Sequence, residues 1–306
     1  MPLLHTGYVE LPPHVAQGGF DHAAVHRRTG RLYVAHTVND AIEVVDCQAD
    51  KYLHSIAGLK GVAGALVSDE RDLVFTSNRG ENTVGVFSPN DEGNLFKVSV
   101  GVRPNGLAYD AGRNVLLAAN VGDPTVPDSF TVSIVDVARK ATMASVSVPG
   151  RTRWAVFDPA QDLFFVNISD PALTVRIDAR DPSRIAGTFT VPAAGPHGLD
   201  LDEGRQRLYC SCDAKKLVCL DSLSGHVVGQ ADLSGVPDVV FFNAAMNHLY
   251  VAIGDPGVID VFDTAGMRRI EVVPTERGAH TIAFDAARNK VYAFLPQTSR
   301  AAVFVD

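Results

Sequence analysis

The chain has 306 residues, 46% of them hydrophobic and 20% charged, with 27 Lys and Arg against 35 Asp and Glu for a net charge of −8. That is ample apolar material for a large core and too little charge excess for a disordered chain. The acidic balance excludes the global basic footprint expected of a nucleic-acid or anionic-membrane binder.

The first residues, MPLLHTGYVELPPHV, lack a positively charged start and an uninterrupted apolar core. They therefore predict neither a secretory signal nor a transmembrane helix, and a cytoplasmic location is the default expectation. Within them TGYVELP, residues 6–12, has strand character. Seven copies of one unit follow: small or polar, apolar, apolar, Asp, a turn, then Leu-Tyr-Val-Ala. They start at His22, Gly64, Asn105, Arg153, His197, Asp238 and His280, at spacings of 42, 41, 48, 44, 41 and 42 residues. Each unit holds about four short β-rich runs separated by turn signals, as in GLDLD, RLYCSC, LVCLD and VVGQADL of the fifth. Periods in the low forties with four strands per unit predict an all-β, seven-bladed β-propeller spanning 1–306 as one domain. The last unit, 278–306, has no fourth strand of its own. The N-terminal strand 6–12 is therefore expected to complete the C-terminal blade and close the ring, which removes exposed sheet edges.

The first residue of each unit lies where the chain crosses from the outer strand of one blade to the central channel. Three histidines, an Asp, an Arg and an Asn fall on these seven positions. Blades five, six, seven and one contribute His197, Asp238, His280 and His22, a set suited to Zn²⁺, Fe²⁺, Mn²⁺ or Ni²⁺ rather than to Ca²⁺. Alternatively, His197 or His280 serves as a general base without metal. On the opposite arc Arg153 offers a planar fork for a carboxylate or developing oxyanion, or else a salt bridge to a neighbouring blade, with Asn105 beside it. Trp154 is expected to pack between blades.

A second tier comes from the end of each second strand: His36, Ser77, Asn120, Asn167, Cys212, Ile253 and Leu295. His36, Asn120, Asn167 and Cys212 are candidate substrate contacts on a polar wall, with Ile253 and Leu295 on an apolar one. The repeated Asp69, Asp110, Asp158, Asp202 and Asp285 precede turns at the opposite face and read as Asx turns. The insertion NVGDPTVPDSF, residues 120–130, is a semi-rigid rim on the histidine face. Cys210 and Cys219 are expected opposite each other across the turn at 213–216. A disulfide there is disfavoured in a reducing compartment, and Cys212 is a candidate nucleophile beside the commoner inert thiol.

RLYVAHTVNDAIEVVD (31–46) and DLVFTSNRGENTVGVF (72–87) resemble the LYVTN…NTVSVID unit of the YVTN-type β-propeller family. The resemblance covers nearly all the chain as repeats. The only tryptophan, Trp154, is followed by Ala155 rather than Asp, which counts against a WD40 repeat. Propellers of the architecture that the resemblance implies include lactone hydrolases, a metal-dependent streptogramin lyase, surface-layer modules and DNA-associated periplasmic proteins, so it implies fold more than function.

No Gly-rich phosphate loop, G-x-S-x-G elbow or C-x-x-C pair is present, so no nucleotide cofactor is expected. Two functional readings remain. In the first the chain is an enzyme for a small, carbonyl-bearing substrate, performing metal-dependent lactone hydrolysis or lyase chemistry with His197, His280 and Arg153 as catalytic groups. The second is a non-catalytic propeller binding a protein or small ligand at the channel face. Neither reading fixes an oligomeric state.

Overall fold

The computed structural model describes residues 3–306. Among them are seven four-stranded antiparallel sheets and a single three-residue 3₁₀ turn, Thr37–Asn39. The inner strands are Phe20–His26, Val62–Ser68, Pro104–Asp110, Thr152–Asp158, Pro196–Asp202, Pro237–Asn243 and Thr281–Asp285. Each contacts the inner strand of the next blade, and the seventh returns to the first, so the ring is closed. No helix among the described residues is long and apolar enough to cross a membrane.

The sequence pattern explains each layer. Middle strands such as Arg31–His36 and Ala41–Asp46 are buried at almost every position, because neighbouring blades cover both of their faces. The outermost strand of blade one, Lys51–Ala57, alternates exposed and half-buried residues, as a strand with one wet face must. The third residue of every second strand is a large apolar or aromatic group packed between blades: Tyr33, Phe75, Leu117, Phe165, Tyr209, Tyr250 and Tyr292, all at most 1% exposed. The residue just before each second strand is left-handed, with φ between 50° and 66°. Asp, Asn, Gln or Gly occupies all seven of these positions (Gly30, Asp72, Asn114, Asp162, Gln206, Asn247, Asn289).

The closing strand is Leu4–Glu10, two residues earlier than the sequence pattern places it. It pairs antiparallel with Arg300–Val305, from Leu4 opposite Val305 to Glu10 opposite Arg300. Pro12 and Pro13 end it, since proline has no amide hydrogen to continue the ladder.

The turn-capping role of Asp110, Asp158, Asp202 and Asp285 is as expected. Each accepts a hydrogen bond from a backbone amide two or three residues on. Asp69 is different: Ser68 occupies the equivalent place and bonds the amide of Arg71. Asp69 instead accepts from the amide of Arg27 at 2.7 Å, tying blade two to blade one.

Candidate functional site

The side chains around one mouth of the channel are aimed by a repeated irregularity. In six blades the pairing of inner and second strands slips near the start of the inner strand, for example between Pro104 and Leu107 and between Pro196 and Leu199. Such bulges twist a strand and redirect the unpaired side chains. Counting from the residues paired beyond the slip, the equivalent positions are Asp21, Ala63, Asn105, Arg153, His197, Asp238 and His280. Five of these are the ring residues read from the sequence. In blades one and two the sequence alignment is one residue late, so His22 and Gly64 sit one step deeper and Asp21 takes the ring position. Letter matching had placed His22 with the other histidines, but pairing register decides the face, and a slip of one residue changes it.

His197 is the most heavily held side chain at this mouth. Its Nδ1 lies 2.8 Å from Asp213 Oδ1, and its Nε2 lies 3.2 Å from Asp238 Oδ1. Arg153 forks over the same group, with Nη1 3.1 Å from His197 Nε2 and Nη2 3.3 Å from Asp213 Oδ2. Burial alone would lower the imidazole pKa, but the facing carboxylates Asp238 and Asp213 outweigh it and raise the value to about 9. At neutral pH the ring is therefore an imidazolium, its Nδ1–H donating to Asp213 and its charge paired with Asp238. Burial acts to raise the two Asp pKa values, yet the charged His197 at Asp238, and His197 with Arg153 at Asp213, hold both carboxyls below their ordinary range.

The backbone is shaped for this cluster. Gly195 has φ +69°, and a Cβ there would come within 2.6 Å of the Asp213 side chain. After His197, a Cβ on Gly198 would lie 2.3 Å from the Asp238 carbonyl, so only glycine lets the two blades meet here. Asn167 pins the bulge from blade four by donating from Nδ2 to the carbonyls of Gly198 and His197, at 3.2 and 3.3 Å. It is thus a positioning residue for His197.

His280 has the complementary arrangement. Its Nδ1–H donates to the Gly278 carbonyl at 2.8 Å, which aims Nε2 toward Asp238 Oδ2 at 3.9 Å, on a side chain 41% exposed. An arginine arc completes the mouth. Arg79 reaches to 3.6 Å from Asp21, and burial together with Arg153, Arg79 and Arg103 lowers the pKa of Arg151. The Nε atoms of Arg79 and Arg153 and the Oδ1 of Asn105 are buried without a protein partner.

No family model matches the chain. No curated protein matches it either. Solved structures do. The chain is similar to a structure described as Kuenenia stuttgartiensis hydrazine synthase, at TM-score 0.83 and 12% identity over 96% of this chain and 97% of that one. It is also similar to a chain of a mitotic checkpoint complex, at TM-score 0.82 and 11% identity over 99% and 92%. Likeness at such low identity shows the seven-bladed propeller and nothing finer.

Beneath the ring the channel is plugged. His22, 5% exposed, packs its ring 3.9 Å from the indole of Trp154 across the channel, and Phe241 meets that indole edge-on at 6.4 Å. Trp154 thus fills the channel itself instead of only the space between blades. Burial lowers the pKa of His22, which is neutral there.

The second tier does not reach the mouth. His36, Asn120, Asn167 and Cys212 are all 0% exposed inside or between blades. His36 bonds Glu43 at 2.8 Å and His14 at 2.6 Å, and Asn120 donates to Thr131 and Ser133. Tyr209, not Cys210, pairs with Cys219, a one-residue difference from the expected register. All four cysteines are buried and free, and burial raises Cys47 to about 12 and Cys219 to about 11. Cys212 is also raised, chiefly by Cys210 beside it, which makes it a poor nucleophile. The 120–130 insertion does lie on the ring face, folded on itself by Ser129 and Asp123.

Among the described residues no group of three or more His, Cys, Asp or Glu has metal-ligating geometry. His197 has both nitrogens turned to carboxylates and a guanidinium beside Nε2, while His22 is sealed against Trp154. As arranged, His22, His197, Asp238 and His280 do not fit one divalent ion. The arrangement sets His197 and His280 on either side of the Asp238 carboxylate with guanidinium groups alongside, side chains chemically able to move a proton or to hold an anion.

Three residues central to this geometry were invisible to the repeat. Asp213 occupies a turn after the second strand of blade five, and Arg79 and Arg151 lie in connections. The only available signal was their position at the same face as the ring.

Proposed function

We propose that the ring mouth is the active site of an enzyme acting on a small molecule with a carboxylate or strongly polarised carbonyl, and that lactone hydrolysis is the reaction it fits best. The observation carrying this is the placing of two histidines around one carboxylate: His197 is held between Asp213 and Asp238, while His280, anchored through Nδ1, turns its Nε2 toward Asp238 from a half-exposed side chain. Burying so many charges together costs stability, which favours a functional reason for the cluster.

In this reading a carbonyl oxygen rests against Arg153. His280 Nε2 takes a proton from water as the water oxygen bonds to the carbonyl carbon, and Arg153 stabilises the oxyanion. The ring C–O bond then breaks, with His197 donating a proton to the departing alkoxide. Exchange with solvent resets both histidines. Asn105 Oδ1 and the free Nε–H of Arg79 are further contacts for the product's carboxylate and hydroxyl. No step passes through a metal. The hydrazine synthase neighbour is an enzyme by its description and the checkpoint complex an assembly.

A panel of γ- and δ-lactones followed by pH-stat with chelator present tests the reading. Wild type should turn over at least one, with kcat/KM falling about a hundredfold or more in His197→Asn and in His280→Gln. Activity restored only by Zn²⁺, Mn²⁺, Fe²⁺ or Ni²⁺ would return the metal-dependent version. A second reading, non-catalytic docking of an acidic partner, is favoured by the exposure of Arg103 on the same rim. Saturable binding of the hydroxy-acid product without turnover in any form of the protein would select it.

A further inference from the structure

The Trp154–His22 plug divides the channel, and on its far side lies a separate cavity of about 330 Å³ opening toward the opposite face. Its walls are largely aromatic and aliphatic: Trp154, Tyr109, Phe157, Phe241 and Leu66 line it. Among the carboxylates in the lining, Asp200 comes from the inner strand of blade five. Asp200 accepts from the amide of Leu201 at 2.8 Å and from that of Phe242 at 2.6 Å. No basic side chain pairs with it among the described residues. Arg27 also lines the cavity, but its Nε is held 2.6 Å from Asp69.

Carboxylates outnumber guanidinium groups around it, although Arg27 is in the lining and Arg71 stands near Tyr109. Glu70 lines the cavity, and Asp202 and Glu203 follow Asp200 on its own strand and turn. The field is dense enough that Glu203 is raised, by burial first and then by Asp158 and Glu70. The other titratable groups facing Asp200 are the neutral His22, the phenol of Tyr109 and the neutralised Arg27–Asp69 pair. The cavity itself is therefore acidic, with three carboxylates in its lining against Arg27, while Arg71 and Arg113 stand in neighbouring turns of this face.

We infer that this cavity is a second binding site, for a small organic cation of the ammonium class, with Asp200 as counter-ion and the aromatic rings as the surfaces against which the cation packs. Aromatic faces attract a desolvated cation through their quadrupoles, and a carboxylate at the base of the cavity supplies charge without a competing lysine or arginine. An anion is repelled here, and a neutral ligand leaves the carboxylate uncompensated. Burial raises the Asp200 carboxyl to about 7. A permanently charged ligand should accordingly bind better as pH rises through that value, when Asp200 becomes ionised.

The probe is choline, titrated calorimetrically into the full chain from pH 6 to 8.5, beside its carbon isostere 3,3-dimethyl-1-butanol. Choline should bind saturably, tighten with pH, and exceed the isostere by about tenfold or more. Asp200→Asn should lose about tenfold in choline affinity and all of the pH dependence, while its melting temperature stays at or above that of wild type because a buried charge is gone. Should the variant fail to fold, the wild-type pH profile decides, since choline does not titrate in this range. The proposal is overturned if the isostere binds equally well, if affinity is flat or falls with pH, if Asp200→Asn binds as wild type does, or if choline gives no saturable heat.

Discussion

Deleting the chain through Glu10 is expected to destroy the monomeric fold. The strand Leu4–Glu10 is the fourth strand of the last blade, and its removal leaves Arg300–Val305 as a bare edge carrying Ala301, Ala302, Val303 and Phe304, all now at most 4% exposed. Loss of buried Leu3 and Val9 alone costs roughly 1.5–3 kcal/mol each, before the ladder hydrogen bonds are counted. Set against a total stability of about 5–15 kcal/mol, that is a large share. The unpaired edge is also a template for another chain. Size-exclusion chromatography should show concentration-dependent association, and the cooperative thermal transition should be lost or lowered by more than about 10 °C. A truncated monomer melting like the full chain would mean that the ring closes without this strand.

The second large effect is on how stability varies with pH. His197 has a folded pKa of about 9 against an ordinary 6.5. A group raised in this way stabilises the fold fully below the lower value and stops doing so as pH climbs through the upper one. The difference is worth roughly 3 kcal/mol. Asp238 and Asp213 act in the opposite direction: depressed in the fold, they stabilise above the ordinary Asp value near 3.8 and lose this as pH falls. The difference between the denaturant melts of wild type and His197→Asn should thus be greatest below about pH 6.5 and shrink by roughly 3 kcal/mol toward pH 9.5. His197→Asn also leaves Asp238 and Asp213 without their main partner. Parallel pH curves for wild type and variant would show that His197 is not held as an imidazolium.

The architecture was legible because burial repeats where the fold repeats. Tyr33, Tyr209, Tyr250 and Tyr292 recur at one place in the Leu-Tyr-Val motif, since every blade must fill the same gap. The ring positions of Asn105, Arg153, His197, Asp238 and His280 were legible for the same reason: each follows the same crossover into an inner strand. The slips at His22 and Gly64 came from matching letters where only strand pairing sets register, and the Cys210–Cys219 pairing failed for the same cause. Asp213 and the arginine arc went unread because turns carry no periodic signal. His36, Asn120 and Cys212 looked like pocket residues because they are polar, yet their partners lie inside the blades, where a buried polar group must be bonded. The cavity around Asp200 joins residues from six blades, and no spacing along the chain announces it.

The central claim is that His197, clamped by Asp213 and Asp238 beneath Arg153, forms a charged site that receives a small carboxylate or carbonyl. Its most direct test is an NMR titration of the His197 ring, with assignment by His197→Asn, in the presence and absence of succinate. The account predicts an imidazolium persisting past pH 8, shifts that saturate as succinate is added, and loss of those shifts in Arg153→Gln. A ring titrating near 6.5 and indifferent to succinate would contradict it.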